Sequence, residues 1–196
     1  MMKTFTITTL KEKDILNLLS LQKENLKLNL DAETIESQGF VSFVYSPDDI
    51  KGMMQAEPQI IAMDGEEIVG YALTASLDYA QTVKLLQPLV EKSKILTYNN
   101  TPLMPRSALS DIRYYIMGQV CVKAGYRGIG IFDALYQGHK EHLSSKYDGV
   151  ITEIATENKR SLAAHRRVGF TTIYEYYDEV SQKDWEIVFW TFNTNF

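Results

Sequence analysis

The sequence is poor in cysteine and histidine: Cys121 is the only cysteine among 196 residues, and there are only three histidines. One cysteine excludes an internal disulfide framework and any metal site built from several cysteine ligands, and it indicates a reducing compartment. Basic residues number 20 against 25 acidic ones, so the net charge is -5 and there is no overall basic field for nucleic acid. The sequence therefore predicts neither a metal nor a nucleic-acid partner.

Long apolar runs are also missing. The first residues, MMKTFTITTLKEKD, lack the apolar core of about 7–15 residues that a secretory signal requires. No later run is long enough to span a bilayer. We therefore expect a cytoplasmic protein with no membrane partner. The hydrophobic fraction of 45% is that of an ordinary globular chain, and the length suits a single domain over 1–196.

The apolar pattern predicts alternating helices and strands. A strand at 5–10 and a helix at 11–30 come first, and Ser46 before Pro47 predicts the start of a further helix. Asp64-Gly65 predicts a hairpin, because glycine tolerates the positive φ of tight turns. The remaining expected elements are a helix at 80–96 interrupted by Pro88, a loop at 99–107, strands at 114–122, 149–156, 171–177 and 185–192, and helices after the turn at 130 and over 158–170. The fold class expected is α/β.

A glycine turn joins the strand at 114–122 to the helix that follows it. Its sequence, YRGIGIF, places Arg127 beside Gly128 and Gly130 at the predicted start of the helix. Backbone amides at a helix N-terminus point outward and favour an anion, and glycines leave room for a diphosphate to reach them. The guanidinium of Arg127 adds forked donors that suit phosphate. The turn therefore predicts a phosphate-binding site.

Two other phosphate motifs compare less well. A P-loop needs Gly-Lys-Ser/Thr, which does not occur in the chain. A dinucleotide fingerprint begins with Gly128 and Gly130, but Asp133 stands where the third glycine belongs. Glu153 follows about twenty residues on, where a ribose-binding acid is expected. A dinucleotide-binding oxidoreductase therefore stays open as a weaker alternative.

Two segments in order, VCVKAGYRGIGIF and ITEIATENKRSLAAHRRVGF, resemble the GCN5-related N-acetyltransferases. The family's Q/R-x-x-G-x-G/A motif maps to Arg127-x-x-Gly130-x-Phe132, and its asparagine-to-Gly-Phe helix maps to Asn158 through Phe170. The resemblance implies a central, mostly antiparallel sheet with flanking helices. It also implies a cofactor-binding core over 114–170, with acceptor specificity in the variable segments 25–58 and 78–113.

The resemblance implies a role for each matching position. The pantetheine arm of coenzyme A is expected against the strand backbone at Val120, Cys121 and Val122. It is also expected against Asn158 and Ser161, at the start of the helix over 158–170. The pyrophosphate is expected on the turn formed by Arg127, Gly128, Ile129, Gly130, Ile131 and Phe132. Phe132 departs from the usual Gly or Ala, so its ring must turn into the core. The strand positions that sometimes carry a base are Ile116 and Gly118, which cannot titrate.

His165 stands where the family frequently has a tyrosine, seven positions after Asn158. An imidazolium there could protonate the departing thiolate, so His165 is the expected catalytic acid. The function expected is acyl-CoA-dependent N-acyl transfer, with acetyl-CoA as donor and a small-molecule or peptide amine as direct attacker. A covalent acyl intermediate on Cys121 is disfavoured because no histidine adjoins it. A coenzyme A-binding module without turnover and a homodimer both stay open.

Overall fold

The N-terminal half of the chain supplies three strands and three helices. The computed structural model describes residues 3–103, 112–179 and 181–192. Its first elements are β1 (Thr6–Thr9), α1 (Ile15–Glu24), α2 (Ala32–Gln38), α3 (Pro47–Ala56), β2 (Ile60–Asp64) and β3 (Glu67–Ala75). Ser46 caps α3 in a reciprocal capping box with Asp49, and Gly65 turns the β2–β3 hairpin at φ 59°. Both predicted local signals are therefore confirmed.

The second half alternates strands and helices as the sequence predicts. Its elements are α4 (Leu77–Ala80), α5 (Gln87–Ser93), β4 (Thr97–Tyr98), β5 (Thr101–Pro102), β6 (Tyr114–Val122), α6 (Ile131–Leu143), β7 (Gly149–Ala155), α7 (Lys159–Val168), β8 (Thr171–Asp178) and β9 (Lys183–Thr191). The helix expected over 80–96 is wrong in extent: α4 ends at Ala80, the first residue of that range, and α5 begins at Gln87, one residue ahead of Pro88. The loop expected at 99–107 holds β5, and its later residues lie outside the described part.

Seven strands form one sheet in the order β1-β2-β3-β6-β7-β9-β8. All neighbours are antiparallel except β6 and β7, which run parallel. The expected mixed α/β fold with a mostly antiparallel sheet is therefore confirmed. A dinucleotide-binding fold needs a doubly wound parallel sheet. The oxidoreductase alternative consequently loses its structural premise.

The sheet separates two apolar cores. One face packs against α1 and α3, with Leu18, Ile50 and Met53 fully or almost fully buried. The other face packs against α6 and α7, with Leu135 and Leu162 in its core. Within the three described ranges, no helix has the length and apolar character that crossing a membrane requires. The α6–α7 face carries the site described next.

Candidate cofactor cleft

The parallel strands β6 and β7 separate shortly after they meet. In the described part of the chain their ladder has three residue pairs, from Tyr114 opposite Gly149 to Ile116 opposite Ile151. Beyond Ile116, β6 continues to Val122 paired with β3, and the register shifts around Gly118. The edge of β6 that faces β7 is therefore open toward its C-terminal end, where Val120 to Val122 lie.

The glycine turn ends at the N-terminus of α6. Gly128 and Gly130 have φ angles of 80° and 93°, a backbone region that L side chains rarely adopt. A Cβ added at either position would meet no atom within 4 Å. Gly130 is the N-cap of α6, so the first free amides of this helix face open space. Such a terminus attracts anions through its amides and its dipole.

These two features open into one cleft of about 390 Å³. Ten of the eleven residues that the sequence predicted to bind cofactor line it: Val120, Cys121, Val122, Arg127, Gly128, Gly130, Ile131, Phe132, Asn158 and Ser161. Ile129 is not among the lining residues and is 42% exposed. The structure thus brings the predicted set together; its contact with a cofactor stays a prediction. Phe132 packs its ring 5.1 Å from that of Tyr136, against the core.

Two further arginines line the cleft. Arg160 lies in the first turn of α7 and Arg167 in its last turn. Arg167 bonds Asp133 at 3.0 and 3.2 Å, and its guanidinium lies over the ring of Phe132. Burial lowers the pKa of Arg127, and the nearby charge of Arg160 lowers it further. The entrance of the cleft therefore carries local positive charge, although the chain as a whole is acidic.

The two polar anchors of the predicted site are already bonded to an N-terminal segment. Arg127 donates from Nη2 to Asn25 Oδ1 at 2.5 Å and from Nη1 to Gln38 Oε1 at 3.3 Å. Asn158 donates to the carbonyl of Phe40 at 3.1 Å. Residues 38–41 and Asn25 form the outer wall of the cleft. Sequence reasoning placed residues 25–58 only at the acceptor and missed this contact with the cofactor wall.

His165 lies in the core and is not part of the cleft wall. Its ring is 2% exposed, Nε2 accepts from the hydroxyl of Tyr136 at 2.7 Å, and Nδ1 donates to the carbonyl of Ser161 at 2.8 Å. Burial lowers its pKa to about 4. The imidazole is therefore neutral near pH 7, with both nitrogens occupied. This corrects the expectation that His165 is placed to protonate a thiolate.

Cys121 lines the cleft as a thiol and not as a thiolate. Burial raises its pKa to about 12, which removes the nucleophilic form near neutral pH. A covalent acyl-cysteine has no support from this geometry. Glu153 lies on the sheet face that carries α1 and α3, accepts a bond from Tyr176 at 2.7 Å and has its pKa raised by burial. It is not placed to hold a ribose in the cleft.

The fold matches solved acetyltransferase structures over almost the whole chain. An Escherichia coli ribosomal-protein-S18-alanine N-acetyltransferase superposes with a TM-score of 0.61 and 12% identity, covering 98% of this chain and 99% of that one. A putative acetyltransferase from Salmonella typhimurium, solved with acetyl-CoA, gives 0.60 and 10%, with coverages of 97% and 95%. A GNAT-family acetyltransferase from Streptococcus pneumoniae gives 0.60 and 10%, with coverages of 96% and 99%.

No protein-family model matches the chain, and no curated protein matches it. The similarity to these structures is therefore one of fold, at sequence identities of 10–12%. The chain has the fold of the GCN5-related N-acetyltransferases. The recognition made from the two motifs is confirmed at the level of the fold.

Proposed function

We propose that this protein is an acyl-CoA-dependent N-acyltransferase that takes acetyl-CoA as donor. One observation carries the proposal: the open edge of β6 and the glycine turn at the N-terminus of α6 share a single cleft. The first suits the amide-rich pantetheine arm, and the second suits the pyrophosphate. Arg160 and Arg167 place positive charge beside both. No metal is invoked in the proposed chemistry.

The proposed reaction is direct transfer to a neutral amine. The amine nitrogen forms a bond to the thioester carbonyl carbon, the carbon–sulfur bond breaks, and the thiolate takes up a proton as the amine loses one. The cleft residues contribute by binding and orienting the donor, and positioning of this kind can supply a large part of a rate enhancement. The amine is proposed to approach from the variable segments 25–58 and 78–113. A small amine and a peptide N-terminus are both compatible acceptors.

Binding and turnover test the proposal separately. Coenzyme A and acetyl-CoA should raise the melting temperature, whereas NAD should not, because a ligand stabilises the state that binds it. Acetyl-CoA consumption is then followed by release of free thiol with a panel of polyamines, amino sugars and short peptides with free N-termini. Thiol release that depends on one acceptor class supports the enzyme. A shift with NAD alone would reject the proposal.

A coenzyme A-binding module without turnover is the second candidate. The burial of His165 favours it, as do Ile116 and Gly118 at the strand positions where a base is sometimes found. This candidate predicts stabilisation by coenzyme A with no thiol release for any member of the panel. The two candidates therefore predict different results only in the thiol-release assay.

The structural role of His165 leads to a prediction about stability. His165→Ala should lower the free energy of unfolding by about 2–4 kcal/mol, because it leaves a cavity and an unpaired Tyr136 hydroxyl in the core. Coenzyme A affinity should change less than threefold, and so should the single-turnover rate with an active acceptor. Denaturant unfolding, titration calorimetry and rapid quench measure the three quantities.

His165→Gln is the matched control, since its amide can keep one bond and should recover part of the lost stability. His165→Tyr should not recover the lost stability. The Tyr136 hydroxyl stands 2.7 Å from Nε2 of His165 and fills the space that a phenol ring would need. A loss of 100-fold or more in the single-turnover rate of the folded alanine variant would restore His165 as the acid.

A further inference from the structure

The segment 25–41, called the strap below, forms a closed loop that contains α2. Its two ends are joined by backbone bonds, from the amide of Val41 to the carbonyl of Asn25 at 2.9 Å and from the amide of Lys27 to the carbonyl of Val41 at 3.0 Å. Asn25, Gln38, Gly39, Phe40 and Val41 line the cleft. The strap therefore behaves as one unit along the cofactor wall.

The strap is fastened to both sides of the cleft. On the turn side, the side chains of Asn25 and Gln38 accept from Arg127. On the α7 side, the carbonyl of Phe40 accepts from Asn158. Lys27 adds an ion pair with Glu157, in the turn before α7, at 2.9 Å. The strap thus spans the opening between the end of β6 and the start of α7.

The fastening at α7 depends on a close approach of backbone to side chain. Gly39 has a φ of 75°, and a Cβ added there would lie 2.8 Å from Asn158 Oδ1. Both the backbone angle and the lack of space require glycine at this position. The Nδ2 group of Asn158 donates to Phe40, while its Oδ1 accepts from the amide of Ser161 at 3.3 Å. The side chain of Asn158 is thereby committed within the protein.

We propose that the strap is a competitor for the cofactor anchors, which coenzyme A must displace in order to bind. This inference rests on the proposed function. The guanidinium of Arg127 and the amide of Asn158 each hold the strap with the donors that a pyrophosphate and a pantetheine need. When coenzyme A binds, Arg127 and Asn158 therefore give up their bonds to the strap and form bonds to the cofactor. Its apparent affinity is the intrinsic affinity multiplied by the fraction of molecules in which the strap is released.

The exchange also connects the two substrates. The strap lies within the segment 25–58 that is proposed to face the acceptor, and its end at Val41 leads into the N-cap of α3 at Ser46. Release of the strap from Arg127 and Asn158 therefore changes the wall of the acceptor site.

Weakening the strap without touching the anchors tests the proposal. The double variant Gln38→Ala, Lys27→Met removes one bond to Arg127 and the ion pair to Glu157. Coenzyme A should then bind about three- to tenfold more tightly in titration calorimetry, since a long bond of 3.3 Å and a partly exposed ion pair each contribute modestly. The control is Lys94→Met, which removes the exposed ion pair with Glu91 on α5 and should leave affinity unchanged.

Hydrogen exchange gives a second readout. The amides of Lys27 and Val41 are bonded within the strap. A strap that has lost its bonds to Arg127 and Asn158 should open locally more often, so saturating coenzyme A should make both amides exchange faster. Unchanged or weaker affinity in the double variant, or slower exchange at these amides, would overturn the proposal that the strap competes with coenzyme A. If the wild-type protein failed to bind coenzyme A, both the proposed function and the proposed role of the strap would be rejected.

Discussion

Gly130→Val is expected to weaken coenzyme A binding roughly 10- to 100-fold, the loss of one or two hydrogen bonds to a charged group. Gly130 caps α6 with a φ of 93°, and a Cβ there would project into the open space in front of the helix amides. A valine blocks that space and pulls the backbone toward negative φ, which turns the first amides away from the pyrophosphate. Titration calorimetry measures the effect.

A second glycine separates the loss of binding from the cost of strain. Gly65, in the β2–β3 hairpin, has a φ of 59° and also has no atom within 4 Å of an added Cβ. Gly65→Val should cost about 1–2 kcal/mol of stability, as Gly130→Val should, because both place a side chain in the left-handed region. Only the Gly130 variant should lose affinity. Equal affinities in two equally destabilised variants would show that the phosphates do not bind at α6.

Acidification from pH 7 to pH 5 is expected to lower the free energy of unfolding by about 4 kcal/mol, or about 2 kcal/mol for each of two buried histidines. Burial lowers the pKa of His139 and of His165 from 6.5 to about 4. The unfolded chain therefore takes up protons first as the pH falls. The stability is fully present above pH 6.5 and is lost progressively toward pH 4.

The surroundings of the two rings explain why neither accepts a proton readily. His139 contacts the hydroxyl of Tyr115 at 2.9 Å and donates to the carbonyl of Ala72 at 3.1 Å, with no carboxylate among these partners. His165 is bonded to Tyr136 and Ser161 in the same manner. Glu153 acts in the opposite sense, because its pKa is raised by burial and protonation relieves a buried charge. Its contribution offsets part of the loss.

Single substitutions assign the pH dependence. His139→Gln and His165→Gln should each reduce the change in unfolding free energy between pH 7 and pH 5 by about half, measured by denaturant unfolding. The control is His142→Ala, since this side chain is exposed on α6 and, among the described residues, contacts the carbonyl of Gly138. If both glutamine variants kept the wild-type change in unfolding free energy between pH 7 and pH 5, carboxylates and not the imidazoles would cause the loss of stability in acid.

The elements around the cleft could be predicted because their signals are local. β6 spans 114–122 as the apolar run predicts, and Gly169, with a φ of 117°, ends α7 as a C-terminal glycine is expected to do. The helix expected over 80–96 failed because periodicity continued through residues 81–86, which form turns held by local bonds such as Leu86 N to Val83 O. The apolar periodicity of a sequence does not show where such turns interrupt a helix.

The direction of side chains at the site could not be predicted in the same way. On α7, Ser161 and Ala164 line the cleft, while Leu162 and His165 are buried. Successive helical residues differ by about 100° around the axis, so one position separates a cleft residue from a core residue. The motif fixed the position of His165 along the chain but not the side of the helix that faces the ligand. The bonds of Arg127 to residues about a hundred positions earlier carry no local signal.

Those distant bonds also bear on the order in which the protein folds. Arg127 meets Asn25 across 102 positions of sequence, and Asn158 meets Phe40 across 118. Contacts of such separation form late, because the chain between them must first be ordered. A nascent or partly folded chain can hold the glycine turn and still lack the completed wall. The donors of Arg127 and Asn158 that the strap is proposed to occupy are free in such a chain, so coenzyme A present during refolding should delay closure of the strap and leave the earlier steps unchanged.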